Sequence, residues 1–460
     1  MHKVIIDGKT FMASDGQRLS ELIVGAQYSV PHPCGGRGTC QKCAVEVDGE
    51  KVLSCRYEIH SDITVRLPDH REIFSETGAW ETGEQTENMC LALDIGTTTL
   101  ALALVSVDRG EIVKALTRTN PQSAFGADVM SRIDYCGKNG VKRLQKAVTE
   151  KINQMVGELA DGNIRRMFVS GNATMLHLFF GVDPTPMGKA PYTPAFLNSR
   201  CCPAEALGIC GVEEVISLPS ISAFVGADLV AGLNFVGMPQ EGNFNLLIDL
   251  GTNAEIVLYS RDKAICTAAA AGPCFEGANI RCGMSAEDGA IWAYEWEKPL
   301  TVGDKPPRGI CGTGLIDLIA VLLEQEIIEE SGYMEEEFQR AEGVSLCQAD
   351  VRQFQVAKSA VCSAVLTLLE KQGIGFADLD KVYLSGGFSG KINIQNAGKV
   401  GLLPEQLLSK CVAVKNSSLL GTAKFACEMN DLSAYLTAEY VDLSADTRFS
   451  DRFVENMLFE

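Results

Sequence analysis

Four thiols in PHPCGGRGTCQKCAVEVDGEKVLSC, residues 31–55, stand at Cys34, Cys40, Cys43 and Cys55, with gaps of five, two and eleven residues. Zinc sites usually pair their cysteines in two C-x2-4-C knuckles, whereas three thiols in one Gly-rich loop plus a distant fourth is the pattern that wraps a [2Fe-2S] cluster. Gly35, Gly36 and Gly38 suit such a loop. It must turn backbone N–H groups toward sulfide, which calls for positive φ. Arg37 would offset the cluster's negative charge. Zinc, or thiols with a structural role only, is the competing reading at this point.

A second chemistry begins forty residues further on. Asp94-x-Gly96-Thr97-Thr98, in MCLALDIGTTTLALALVSVDRGEIVKALTRTNP, is repeated 155 residues later as Asp249-x-Gly251-Thr252-Asn253, in NFNLLIDLGTNAEIVLYSRDKAICTAAAAGP. No G-x4-G-K-[ST] loop occurs in the chain. In D-x-G-T-[TN] the glycine at a hairpin tip lets the backbone approach phosphate. The Thr hydroxyls and N–H groups bond its oxygens, and the Asp holds Mg2+ or an attacking water. One copy is weak evidence, since Asp-Gly turns after strands are common; two in equivalent strand–turn–strand contexts are much stronger. Glu255 follows the same sheet face as Asn253 and would orient water or metal, with a surface salt bridge as its alternative. The strand–glycine–helix run DKVYLSGGFSGKINIQNAG puts Gly386 and Gly387 where adenosine passes close to bare backbone, or where elements merely pack. Gly312-Thr313-Gly314 opens a long helix in GICGTGLIDLIAVLLEQEIIEE, so its free N–H groups would face nucleotide unless this is an ordinary Gly-rich helix start.

The elements that must position these residues are legible nearby. VIIDGKTFMA alternates about Asp7-Gly8, a hairpin turn, and Leu19, Leu22 and Ile23 then take helical spacing. CAVEVDGEKVLSC is a second hairpin turning at Asp48-Gly49, and ITVRLP a closing strand, which together predict a small mixed sheet on one helix. DHREIFSETGAWETGEQTEN is polar, acidic and aperiodic, as a linker is. Each D-x-G-T copy sits in a strand, tip, strand, turn, strand run, so duplication into two homologous lobes is the economical account.

Composition bounds the function classes. At 460 residues, 46% hydrophobic and 22% charged, the chain suits about three globular units. No run reaches the ~18 uncharged apolar residues of a membrane span. The start, MHKVIIDGKTFMAS, lacks a signal peptide's apolar core, so a cytoplasmic location is expected. Seventeen cysteines, thirteen of them scattered outside the loop, fit a reducing compartment. A net charge of −19 argues against unspecific nucleic-acid binding. Residues 1–70 hold eight Lys/Arg against nine Asp/Glu, so a docking partner would meet a near-neutral field there. His32 is expected in solvent, His177 in a core, and Cys136, Cys201, Cys202, Cys210 and Cys362 as small hydrophobes.

The N-terminal segment resembles the [2Fe-2S] ferredoxin domain of β-grasp fold. Its x5 gap is one residue longer than the plant type's, as in the adrenodoxin-like branch, and its x11 gap is shorter than in either. The remainder resembles the actin-like ATPase superfamily of sugar and acetate kinases, heat-shock chaperones and actin. Within that superfamily SGNATMLHLFFG, PSISAFVGADLVAG, GPCFEGANIRCGM and EYVDLSADTRFSDRFVENMLF resemble signature stretches of the reductive activators of corrinoid proteins. These are ATP-dependent iron–sulfur enzymes that return a corrinoid from Co(II) to Co(I).

The resemblance implies an α/β and α+β multidomain chain: a ferredoxin-like unit at 1–68, an acidic linker at 69–89, ATPase lobes at 90–240 and 241–428, and a C-terminal segment at 429–460 packing back on the ATPase. It assigns Cys34, Cys40, Cys43 and Cys55 to the cluster, both tips to ATP phosphates and Mg2+, with Asp94, Asp249 and Glu255 in catalysis, and Gly386 and Gly387 to adenosine. The implied partners are a corrinoid protein of a methyltransferase system and an electron donor, reductase or ferredoxin. Longer family members carry a further small domain, implicated in dimerisation, where this chain has about twenty linker residues; a homodimer stays open. Two other readings compete. One is an activator of 2-hydroxyacyl-CoA dehydratases, of whose cysteines within the ATPase fold Cys311 is reminiscent; the other is a small-molecule kinase of the same superfamily.

Overall fold

The computed structural model describes residues 1–26, 28, 30, 36, 38, 43–67, 80–81, 85–295, 298–341, 343–387 and 389–459. Cys34, Cys40, His32, Arg37 and most of the expected linker lie outside the described residues.

Strands β1 (His2–Ile6) and β2 (Lys9–Ala13) pair antiparallel, with Asp7 and Gly8 both at positive φ between them. Two such residues in succession give the tight turn whose twist matches its strands. Helix α1 (Leu19–Gly25) follows, then the hairpin β3 (Ala44–Val47) and β4 (Glu50–Leu53), turning at Asp48-Gly49, and β5 (Ile63–Arg66). The sheet runs β2-β1-β5-β3-β4, with β5 parallel to β1. Alternate residues Val4, Ile6, Val45, Val47, Ile63 and Val65 meet Leu19, Leu22 and Ile23 of α1, so period-2 and helical apolar patterns close one small core. This is the mixed sheet on one helix that the sequence predicts.

The two larger sheets repeat one plan. In the first, β6 (Met89–Ile95), β7 (Thr99–Ser106) and β8 (Glu111–Thr119) form an antiparallel meander. Helices α2 (Val129–Asn139) and α3 (Lys142–Leu159) intervene before β9 (Ile164–Gly171), α4 (Ala173–Phe179), β10 (Val212–Ser217) and α5 (Ala227–Val236). In the second, β11 (Phe244–Leu250), β12 (Ala254–Tyr259) and β13 (Ala264–Ala269) make the meander. Helices α6 (Gly312–Glu324) and α7 (Gln348–Gln372), then β14 (Leu379–Ser385), β15 (Cys411–Ala413) and α8 (Ser417–Glu428) follow. The shared five-strand orders are β8-β7-β6-β9-β10, edged by Trp80–Glu81 and Cys201–Pro203, and β13-β12-β11-β14-β15, edged beyond β13 by Glu439–Tyr440; in each the last two of the five run parallel to the first hairpin strand. Shared order and direction at matching positions make the duplication a fact of topology. The central strands, MCLALDI and FNLLIDL, are covered on both faces, hence their nearly unbroken apolar runs.

Helices α5 and α8 cross between the lobes. A Cβ at Gly421 would fall inside the Ala231 carbonyl, and one at Gly232 would come within 2.8 Å of Ser417 Oγ. Only glycine permits so close a crossing. Leu419, Ala423 and Ala426 of α8 join the same core as Leu93, Val169 and Leu229. At the C-terminus, α9 (Thr447–Glu455) lies on α7: Arg452 Nη2 contacts Glu370 Oε2 at 2.6 Å, and Asn456 Nδ2 donates to Ser363 Oγ at 3.0 Å. Phe459 is buried in the second lobe's core. No helix among the described residues is long and apolar enough to cross a membrane.

Candidate functional site

A cleft of about 1200 Å³, open mouth included, lies between the lobes. Both predicted tips line it, with Glu255, Gly312, Gly386 and Gly387. Cys311 also lines it, whereas Thr313 and Gly314 do not. Thr313 is buried and donates its hydroxyl to Trp292 O at 2.6 Å, and Gly314 packs on the Ile291 carbonyl, so these two serve the start of α6. Cys311, at the same helix start, is buried with its sulfur 3.5 Å from Thr313 Oγ1, and burial raises its pKa.

The tips are hairpin loops whose lengths differ. In the first lobe Ile95 pairs with Leu100, so Asp94 faces Ala101; in the second Leu250 pairs with Ala254, so Asp249 faces Glu255. Two carboxylates directly opposite on a sheet repel. Gly96 N–H donates to Thr99 O at 2.9 Å and Gly251 N–H to Asn253 O at 3.1 Å, so these amides close the loops. Burial first, then the Asp94 charge, pushes Asp249 up to about 6; burial alone raises Asp94 to about 6 against opposing hydrogen bonds led by Ser418. Asp228, at the start of α5, is raised by burial and by Asp249 and Asp94, and Glu255 by burial and by Asp228 and Asp249. Asp249 is thus the electrostatic neighbour of the other three.

A cluster of half-enclosed carboxylates suits a hard cation such as Mg2+, which binds one or two carboxylates plus waters and phosphate oxygens. Among the described residues no group of three or more His, Cys, Asp or Glu side chains forms a ready-made metal cage.

Strand ends set the floor. Ser170 on β9 pairs with Asp94, as Ser385 on β14 pairs with Asp249. Each serine precedes a glycine at positive φ, Gly171 and Gly386, where a Cβ would strike the carbonyl of Ile95 or Leu250. Gly171-Asn172 is thus the first lobe's counterpart of Gly386-Gly387. Helix α8 ties the halves together: Ser418 Oγ donates to Asp94 Oδ1 at 2.7 Å and lies 2.9 Å from Ser170 Oγ, while Ser417 Oγ lies 2.6 Å from Ser385 Oγ.

Three side chains hold the first tip from behind. Asn120 Nδ2 donates to Gly96 O (2.8 Å), Asn172 Nδ2 to Thr97 Oγ1 (3.1 Å), and the fully buried Arg132 donates Nη2–H to Thr97 O (2.5 Å). Glu276 joins the two tips, its Oε2 accepting from Thr98 Oγ1 (2.7 Å) and Thr252 Oγ1 (3.1 Å). Asp228, Glu276, Arg132 and Ser418 escape a reading by local motif. Asp228 and Glu276 fall within PSISAFVGADLVAG and GPCFEGANIRCGM, where an acid in an otherwise apolar, glycine-bracketed run was the available signal.

At the N-terminal unit, Cys43 and Cys55 are buried with their sulfurs 3.2 Å apart. Ser54 N–H donates to Cys43 O at 3.0 Å and Ser20 N–H to Ser54 O at 3.1 Å, which fixes both cysteines to the start of α1. Gly36 and Gly38 have positive φ, and Gly38 leaves room for the Arg56 side chain. Converging buried thiols beside a left-handed glycine loop fit the donor set of an iron–sulfur cluster.

Comparison with known proteins matches three regions of the chain. Residues 4–68 match the 2Fe-2S iron-sulfur cluster binding domain, 89–241 the RACo middle region, and 243–460 the C-terminal domain of RACo, the ASKHA domain. "Corrinoid activation enzyme RamQ" of Eubacterium limosum is 28% identical over 423 residues, covering 80% of this chain and 70% of that protein. The "[Co(II) methylated amine-specific corrinoid protein] reductase" of Methanosarcina barkeri is 26% identical over 417 residues, 79% of this chain and 76% of the relative. A solved structure, "Reductive activator for corrinoid,iron-sulfur protein", aligns over 100% of this chain and 98% of its own with a TM-score of 0.74 and 27% identity. With a cluster-binding unit ahead of two adjoining RACo regions, the chain belongs to the RACo family, the reductive activators of corrinoid proteins.

Proposed function

We propose that the chain uses ATP in the interlobe cleft to drive one-electron reduction of a corrinoid protein of a methyltransferase system, returning its cobalt from Co(II) to Co(I). The observation that carries this reading is the convergence of Thr98 and Thr252, from equivalent hairpins of two lobes, at one point over a floor of acids, in a chain that begins with a cluster-binding unit. When bound, the [2Fe-2S] cluster supplies the electron. Cys43 and Cys55 hold it, with Cys34 and Cys40 completing the set.

In the cleft, the Thr97, Thr98 and Thr252 hydroxyls would bond phosphate oxygens, Gly386 and Gly387 would admit adenosine against bare backbone, and Asp94 and Asp249 would hold Mg2+ and the attacking water. Glu255, whose carboxyl is raised well above its ordinary value by burial first and then by Asp228 and Asp249, takes the water's proton. Cobalt reduction is uphill, so ATP must bias a two-state element; lobe closure about α5 and α8 provides one. The electron donor, a reductase or ferredoxin, meets the near-neutral N-terminal unit, and a cytoplasmic setting suits cysteines that form no disulfide among the described residues.

Anaerobic ATPase assays with and without Co(II) corrinoid protein, following cobalt optically, test the reading. The wild type should show stimulated hydrolysis and Co(I) formation, and Asp249→Ala should lose both together. Undiminished cobalt reduction in an Asp249→Ala protein without ATPase would separate the two activities and defeat the coupling.

A further inference from the structure

Glu276 ends the single turn Pro273–Glu276 that follows β13. Its Oε2 takes a hydrogen bond from a hydroxyl of each lobe, Thr98 at 2.7 Å and Thr252 at 3.1 Å. An incoming phosphate oxygen makes the same demand: one anionic oxygen between the same two donors. Each threonine has a single O–H to give. Carboxylate and phosphate therefore compete for both protons, and their charges repel at that range in a half-enclosed site. We propose that Glu276 is a positioning residue that occupies a phosphate-oxygen position, holding the two tips in register until the phosphate of a nucleotide displaces it. This rests on the reading of the cleft as an ATP site and adds the state from which binding starts.

The surroundings fit a side chain that swings while its backbone stays. Gly277, next in the chain, has φ +76 and lies against Met284, where a Cβ would come within 2.6 Å of the Met284 nitrogen, so the turn is pinned. Release must then come from rotation of the Glu276 side chain. Arg132 is committed by hydrogen bonds to the Thr97 and Gly126 carbonyls, and the Glu276 charge favours its cationic form. A cation held in that place favours whichever anion sits on the tips, first the carboxylate and then the phosphate.

The test pairs two measurements that a merely structural residue would move together. Full-length wild type, Glu276→Gln and Glu276→Ala are titrated calorimetrically with ADP and with a non-hydrolysable ATP analogue, Mg2+ present. Hydrogen exchange is followed over residues 94–100 and 249–254 without nucleotide and with it. Removing the competitor should tighten nucleotide binding, roughly tenfold for Glu276→Ala and less for Glu276→Gln, whose amide oxygen still accepts a bond without the charge. The tips of Glu276→Ala should exchange faster than wild type without nucleotide and equally slowly with it. Weaker binding in both variants would make Glu276 a ligand of the bound nucleotide and overturn the proposal, as would unchanged affinity or unchanged exchange in the nucleotide-free tips. If wild type itself binds neither ADP nor the analogue, the ATP-site reading fails instead, and the two failures are distinct.

Discussion

At the scale of single residues, the acids of the cleft are held against their own preference. Asp249 faces Glu255 across the β11–β12 ladder and its charge raises Asp228, whose own charge adds to that on Glu255. A carboxyl whose folded pKa lies above its unfolded value binds its proton more tightly when folded. Its stabilisation is complete below the unfolded value, near 4, and is lost as pH rises through the folded one. For Asp94 and Asp249 that window runs from the ordinary 3.8 to about 6, and the other two acids extend it upward. Chemical denaturation of the nucleotide-free protein should therefore show stability falling from pH 5 to pH 8. General self-repulsion of a chain of net charge −19 has the same sign, so the diagnostic quantity is a difference: Asp228→Asn should flatten the fall. An unaltered slope would mean that Asp228 is not part of the coupled group. Asp94, Asp249 and Glu255 were legible because a motif and a strand period place them. Asp228 and Glu276 were not, since they reach the cleft from a helix start and a turn that only the tertiary fold brings there. His177 was rightly expected in a core: Nδ1–H donates to Ala173 O at 2.7 Å and Nε2 accepts from the Ala195 N–H at 3.0 Å, which uses both ring nitrogens.

At the scale of elements, hairpins and buried strands could be read from apolar runs and Asp-Gly turns, because their causes are local. Helix α8 could not. Its SSLLGTAKFACE sequence carries small and hydroxyl residues whose purpose appears only where Gly421 lies on Ala231 and Ser417 and Ser418 reach the two strand ends. Gly421→Ala should cost about 1–3 kcal/mol in denaturant unfolding, as overpacking does, because the obstructing atoms are backbone rather than a yielding side chain. A variant as stable as wild type would show that the crossing can widen freely. The helix start at Gly312-Thr313-Gly314 divides the same way: one residue reaches the cleft, and two are consumed in seating the helix, a distinction that spacing alone does not encode.

At the scale of the whole molecule, the chain joins a thiol-lined unit to a duplicated cleft. Arg143 Nη1 on α3 meets Glu21 Oε2 on α1 at 3.2 Å, an exposed ion pair of modest strength, and α1 also approaches the turn Pro121–Ala124. The two chemistries should accordingly come apart by mutation. Cys55→Ser should lower iron content and visible absorption and abolish cobalt reduction, while ATP hydrolysis without the corrinoid protein stays within about twofold of wild type; loss of basal hydrolysis would show that the cleft depends on the cluster unit for its own integrity. Duplication was legible at this scale from two copies of one motif, whereas the inequality of the copies, a four-residue tip against a three-residue one, waited on strand register. The crossing of α5 and α8 has one more consequence. Helices whose backbones touch have no side-chain layer to slide through, so they rotate about the contact as about a fulcrum. Displacement then grows with distance from it. A change of a few tenths of an ångström at the tips is geared up along each lobe, and a protein seated across both outer rims would sense nucleotide by leverage, without touching it.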